Sequence, residues 1–192
     1  MAQKLLHQKT ILLVGMMGAG KTSLGRMIAK RLQLPFVDSD KEIERTTGFS
    51  ISDLFARYGE DEFRKGEEKI MERLMSGEPC VLSSGGGAFL SRATRLIAQK
   101  TVVSIWLKAD PSVISHRTTG RTHRPLVPAA DNQKTIERLV GECYPLYAQA
   151  DITVETFNEH PAKTLRRVLF ELEKRGIISK PAFKMKPRKN DP

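Results

Sequence analysis

Residues 15–22 read GMMGAGKT, the G-x4-G-K-[ST] spacing of a phosphate-binding loop. In such a loop the glycines let backbone N–H groups curl around the β- and γ-phosphates of a nucleotide. The helix that follows aims its positive end at the same groups. Gly18, Ala19, Gly20, Lys21, Thr22 and Ser23 are therefore candidate nucleotide-binding residues. The Lys21 ammonium serves the transferred phosphate, and the Thr22 hydroxyl is a candidate Mg²⁺ ligand. The chain has neither the Asp-x-x-Gly switch nor the Asn/Thr-Lys-x-Asp base reader of a GTPase. Its apolar run CVLSSGGG ends in serines and glycines rather than in the metal-binding aspartate of a motor ATPase. Transfer to a small acceptor fits better.

Three further stretches could serve an acceptor. VDSD places Asp38 and Asp40 at the end of a short apolar run, where open α/β sheets bind ligands. If the strand continues through them, side chains at i and i+2 point the same way. Asp38 then holds Mg²⁺, directly or through water, and Asp40 takes the proton of an attacking hydroxyl or orients it. The plainer alternative for an aspartate at such a junction is a helix N-cap. EFRKGEE carries Arg64, with Glu67 at i+3 as a partner, and a surface salt bridge is the plainer reading there. SSGGGAF leaves Gly85, Gly86 and Gly87 without side chains, which is costly in order unless a ligand or backbone must come close.

The elements that position these residues alternate along the chain. Apolar runs at 10–14, 35–38, 80–83, 101–107 and 151–154 read as strands. Helical patterns occupy 21–32, 60–75, 91–99, 111–117, 135–147 and 161–175, with another helix starting at Ser50. Asp110 is expected to cap the helix after the fourth strand. Buried strands alternating with helices imply an α/β fold with a parallel sheet covered on both faces. Residues 119–130 hold two prolines and a glycine among basic residues and read as a mobile loop. The expectation is a single domain over 1–179, followed by a basic, disordered tail at 180–192.

With 192 residues the chain can bury a substantial core. Its net charge of +10 is compatible with nucleic acid, an anionic membrane or anionic small substrates. Part of that charge sits in the tail, where Phe183 is the single aromatic residue among five basic ones, too few for a base-stacking platform. There is no apolar run of about 18 residues to cross a membrane. Two cysteines give no disulfide framework, and four scattered histidines show no metal-ligand spacing. These features point to a cytoplasmic protein acting on small molecules, without nucleic-acid or membrane partners.

Taken in order and spacing, GMMGAGKT, FVDSD, EFRKGE, SSGGG, RPLV and PLYAQAD resemble shikimate kinase over residues 8–175. The resemblance implies a three-layer P-loop kinase fold of the nucleoside-monophosphate-kinase type, with five parallel strands in the order 2-3-1-4-5 and a mobile lid. It implies an enzyme that phosphorylates the 3-hydroxyl of shikimate with ATP and Mg²⁺, in the biosynthesis of chorismate and the aromatic amino acids. A monomer is expected. On the same basis Asp40 grips the reacting hydroxyl, Asp38 is linked to Mg²⁺, and Arg64 binds the shikimate carboxylate over a floor of Gly85, Gly86 and Gly87. Arg124 matches the lid arginine that stabilises charge on the phosphate in transfer, and Arg117 and Pro161 match the residues that sandwich adenine.

One position departs from the family. Where the family has Arg-x-Pro-Leu-Tyr, supplying a second arginine for the carboxylate, this chain has Cys143-Tyr144-Pro145-Leu146-Tyr147. Cys143 lies on the apolar stripe of Ile136, Leu139, Val140 and Tyr147, so it is expected to point inward. No basic residue replaces it one turn away. The departure leaves open weaker or rearranged shikimate binding, another small hydroxylated acid as acceptor, or a weakly active ATP-binding paralogue.

Overall fold

The computed structural model describes residues 4, 5, 8–118 and 132–179. Five strands form one parallel sheet in the order β2-β3-β1-β4-β5. They are β1 (Thr10–Val14), β2 (Phe36–Asp38), β3 (Val81–Ser83), β4 (Val102–Ala109) and β5 (Ile152–Thr156). The expected α/β class and strand order are both found. The expected lid at 119–130 and tail at 180–192 lie outside the described residues.

β1 is central, and all of its residues are buried, as an uninterrupted TILLV run requires when helices cover both faces of a sheet. β5 lies at an edge and alternates buried and exposed residues. In the register, Asp38 pairs with Ser83 and Ser83 with Leu13. The carboxyl ends of β2, β3 and β1 are therefore level. The phosphate loop, the paired aspartates and the glycine run all leave the sheet at this edge.

The helices are α1 (Lys21–Leu32), α2 (Ser39–Thr47), α3 (Ile51–Met75), α4 (Arg92–Thr101), α5 (Pro111–Thr118), α6 (Asn132–Tyr147) and α7 (Pro161–Lys174). Several begin as their sequences suggest. Ser50 Oγ accepts from Asp53 N at 3.1 Å, and the Asp110 carboxylate accepts from Ser112 N at 2.9 Å. Pro161 occupies the first turn of α7, where a missing N–H costs nothing. α3 is broken at Gly59, with φ 76° and ψ 171°, so the charged stretch from Glu60 onward takes its own direction.

α2 and the carboxyl ends of β4 and β5 differ from expectation. α2 was not read from the sequence, because it buries only Ser39 and Ile43 and shows no apolar stripe. β4 runs on to Ala109, where pairing of Lys108 with Glu155 and of Ala109 with Thr156 extends the ladder beyond the apolar run.

The main core lies on both faces of the sheet and includes Ile28, Met71, Leu107, Cys143, Tyr147 and Val168. A smaller cluster of Ile43, Leu54 and Phe63 joins α2 to α3. No helix among the described residues is long and apolar enough to cross a membrane.

The turn out of β1 is sterically exacting. Gly15 has φ 135°, and a Cβ there would stand 2.7 Å from the Leu107 carbonyl oxygen. Gly15→Ala is expected to lower unfolding free energy by about 2–3 kcal/mol. Urea denaturation checks this, and an unchanged midpoint would mean that the loop leaves β1 by another path.

Candidate active site

The loop between β1 and α1 ends at Gly20, which occupies the N-cap position of α1 without any side-chain cap. The first amides of α1 are thus left to a ligand, with the positive end of the helix behind them. Lys21 is 8% exposed, and its Nζ donates to the carbonyls of Gly15 at 2.6 Å and Met16 at 3.0 Å. These bonds hold the ammonium against its own loop.

The two aspartates are placed differently from each other. β2 stops at Asp38 and α2 starts at Ser39, so the strand does not continue and the alternation argument does not apply. Asp38 stands at the N-cap position of α2 but makes no capping bond. Its Oδ2 accepts instead from the Thr22 hydroxyl at 2.9 Å, across to the phosphate loop. Asp40 comes from the first turn of α2. Between them Ser39 is fully buried, and its Oγ accepts from Gly85 N at 2.8 Å, fastening α2 to the glycine run. The sequence carried no signal for this tie.

The glycine run makes room for side chains. A Cβ on Gly85 would lie 2.5 Å from Asp40 Oδ1 and 2.9 Å from Glu67 Oε1. A Cβ on Gly87 would fall 2.5 Å from Arg64 Cζ and Nη2, so the guanidinium rests against the bare Cα. Nearby, the Tyr147 hydroxyl donates to the Gly86 carbonyl at 2.5 Å, joining α6 to the middle of the run.

Arg64 is not the surface ion-pair partner of the plainer reading. Its Nη1 donates to Glu67 Oε2 at 2.6 Å, and the Glu67 side chain is only 4% exposed. Burial pushes the Glu67 carboxyl above its usual range, while the neighbouring Arg64 guanidinium pulls it back. The exposed Glu60 also accepts from Arg64, whose guanidinium lies over the rings of Phe63 and Phe55. The i+3 spacing of Arg64 and Glu67 was visible in the sequence, but the depth of Glu67 was not.

A cavity of about 760 Å³ gathers residues 18–23 with Asp38, Asp40, Gly86, Arg117 and Pro161. Arg117 reaches it from α5, donating to the Gly18 carbonyl at 3.2 Å and the Phe157 carbonyl at 2.7 Å. Arg64, Gly85, Gly87 and Cys143 do not line this cavity. Arg64, Gly85 and Gly87 meet instead in the cluster with Asp40 and Glu67. Cys143 lies inward on α6, one turn before Tyr147, and is 4% exposed. Burial, with a contribution from Glu142, raises its thiol above the usual range, which keeps it protonated. Arg124 lies outside the described residues.

Thr22 and Asp38 supply two hard oxygens beside the phosphate loop. Among the described residues no group of three or more His, Cys, Asp or Glu could hold a metal. An ion that keeps most of its waters and takes the rest of its ligands from phosphates, as Mg²⁺ does, suits such a sparse pair.

A phosphate loop, an aspartate-bearing sheet edge and a separate charged cluster on a 2-3-1-4-5 sheet define a P-loop small-molecule kinase. The comparisons with known proteins are specific. The sequence profile of the family described as shikimate kinase matches residues 17–173. A shikimate kinase of Paramagnetospirillum magneticum is 50% identical over 161 residues, covering 84% of this chain and 83% of that protein. One from Rhizobium leguminosarum bv. trifolii is 44% identical over 181 residues, covering 93% and 92%. The structure of shikimate kinase from Acinetobacter baumannii in complex with shikimate superimposes with a TM-score of 0.84 at 32% identity, covering 88% of this chain and 94% of that one. The chain belongs to the shikimate kinase family, the enzymes that phosphorylate shikimate with ATP in aromatic amino acid biosynthesis. None of these findings favours another hydroxy acid or a weakly active ATP-binding paralogue.

The glycine contacts make a testable claim about stability. Gly87→Ala should push the guanidinium away and leave the Glu67 carboxylate buried without its partner. A loss of about 1–3 kcal/mol is expected, partly recovered when Glu67→Gln is added. Denaturation midpoints of the single and double variants check this, and an unshifted single variant would mean that Arg64 does not depend on Gly87.

Proposed function

We propose that the cavity and the cluster beside it are the two halves of one phosphoryl-transfer site, the first for ATP and the second for shikimate. Asp40 carries this reading because it belongs to both. It lines the phosphate-loop cavity, and its Oδ1 lies against Gly85 beside Glu67. A carboxylate placed there meets the acceptor hydroxyl where the hydroxyl meets the phosphate, so it orients the 3-hydroxyl and takes its proton.

In this reading the amides of residues 18–23 and the Lys21 ammonium hold the phosphates. To do so, Lys21 exchanges its bonds to the Gly15 and Met16 carbonyls for phosphate oxygens. Arg117 and Pro161 flank the base. Mg²⁺ fits at Thr22 and Asp38 and, when bound, offsets phosphate charge. Arg64, steadied by Glu67 and Gly87, receives the shikimate carboxylate, with Gly85 and Gly86 keeping the floor low. A lid over about 119–130 brings Arg124 to the transferring group and excludes water that would otherwise accept it. We take residues 1–179 to be one kinase domain, acting as a cytoplasmic monomer on small molecules.

Cys143 brings no charge to the acceptor side. A charge-assisted hydrogen bond contributes about 1.5–3 kcal/mol, so carboxylate binding by Arg64 alone is weaker than binding by two arginines.

An assay coupled to ADP release, run with shikimate and then with a panel of small hydroxy acids, tests the proposal. Turnover is expected with shikimate, and turnover confined to another acid would overturn the substrate assignment. Asp40→Asn is expected to cut kcat by about 10²–10⁴ with the KM for ATP little changed. If kcat were retained, Asp40 would not be the proton acceptor. Cys143→Arg is expected to lower the shikimate KM by roughly tenfold or more with kcat nearly unchanged. An unaltered KM would show that this position does not reach the acceptor.

A further inference from the structure

The Arg64 guanidinium is divided between two carboxylates of unlike kind. Glu67 takes Nη1 through one short bond of 2.6 Å from a side chain 4% exposed. Glu60 takes the Nε–Nη2 edge, with a single oxygen, Oε1, 3.3 Å from Nε and 3.1 Å from Nη2. Its side chain is 55% exposed. The Nε–Nη2 edge is a fork that offers a carboxylate two parallel N–H bonds, and Glu60 fills it with one oxygen at long range.

The surroundings give the two partners different duties. Against Gly87 the guanidinium has backbone on one side, and Phe63 and Phe55 lie within 5.2 and 5.6 Å of its Cζ. Glu67 is buried in the same element and cannot leave without stranding a charge. Glu60 can leave. It directly follows the Gly59 break, at the free start of the second half of α3, and its carboxylate would pass into water.

We propose that Glu60 is a specificity-determining residue, an internal competitor that holds the Nε–Nη2 edge of Arg64 until an acidic acceptor displaces it. The inference rests on the reading above that Arg64 receives the acceptor carboxylate. Glu67 keeps the guanidinium in place during the exchange, so the site stays ordered when empty. Cys143 adds no second cation from α6, so among the described residues of this cluster the competition falls on the Arg64 guanidinium.

Steady-state kinetics of the full chain with Glu60→Gln, varying shikimate at saturating ATP, test this. Exposed ion pairs are weak, so removing the competitor should lower the shikimate KM by about two- to fivefold. The kcat and the KM for ATP should not change. In an Arg64→Gln background the same substitution should have no effect on the shikimate KM, because no guanidinium remains to contest. A rise in shikimate KM would overturn the proposal by making Glu60 a support for Arg64. An unchanged KM, with normal turnover by the wild type, would overturn it while leaving the functional reading intact. Absence of shikimate turnover by the wild type would overturn both.

Discussion

The cluster of Asp40, Glu67 and Arg64 depends on two missing methyl groups. Bare Cα atoms at Gly85 and Gly87 let Asp40, Glu67 and Arg64 approach to distances that a Cβ would forbid. A flexible exposed side chain could swing aside from such a clash. Here the intruding atoms are held by others: Arg64 by Glu67 and Glu60, and α2 by the bond between Ser39 and Gly85 N. The cost of ordering consecutive glycines is offset because three charged side chains use the space that two alanine methyls would occupy.

That convergence requires the glycine run to stand opposite the aspartates, which is a matter of register. The pairing of Asp38 with Ser83 and Ser83 with Leu13 brings three strand ends to one level. The phosphate loop, the paired aspartates and the glycine run each follow one of those ends. A parallel sheet also points the amino ends of its helices toward this edge, so anionic groups meet amides and helix dipoles together. Tyr147 fastens α6 to the Gly86 carbonyl, which puts Cys143, one turn earlier, in the main core.

The charge balance around Arg64 follows from the same packing. Arg64 is flanked by two glutamates, and Cys143, buried on α6, keeps a protonated thiol. Burying Glu67 raises its carboxyl, yet its short bond to Arg64 favours the charged pair. A 2.6 Å contact between a guanidinium and a carboxylate is an ion pair, and it fixes the guanidinium plane more than it stabilises the fold.

The class of fold was legible in the chain because buried strands leave continuous apolar runs such as TILLV. The phosphate loop was legible because its chemistry needs glycine, lysine and threonine at fixed spacing. The same holds for the inward direction of Cys143, which a helical period displays. Other features had no local signature. α2 buries too few residues to show a stripe, and the end of β2 at Asp38 depends on its partner strand. Whether Glu67 lies at the surface or at 3% exposure is decided by what packs over it, and charge and spacing read the same in either case. The glycine run announced a close approach without saying of what. Only the folded chain names Asp40, Glu67 and Arg64, because contacts between residues distant in sequence are set by how the helices cross the sheet edge.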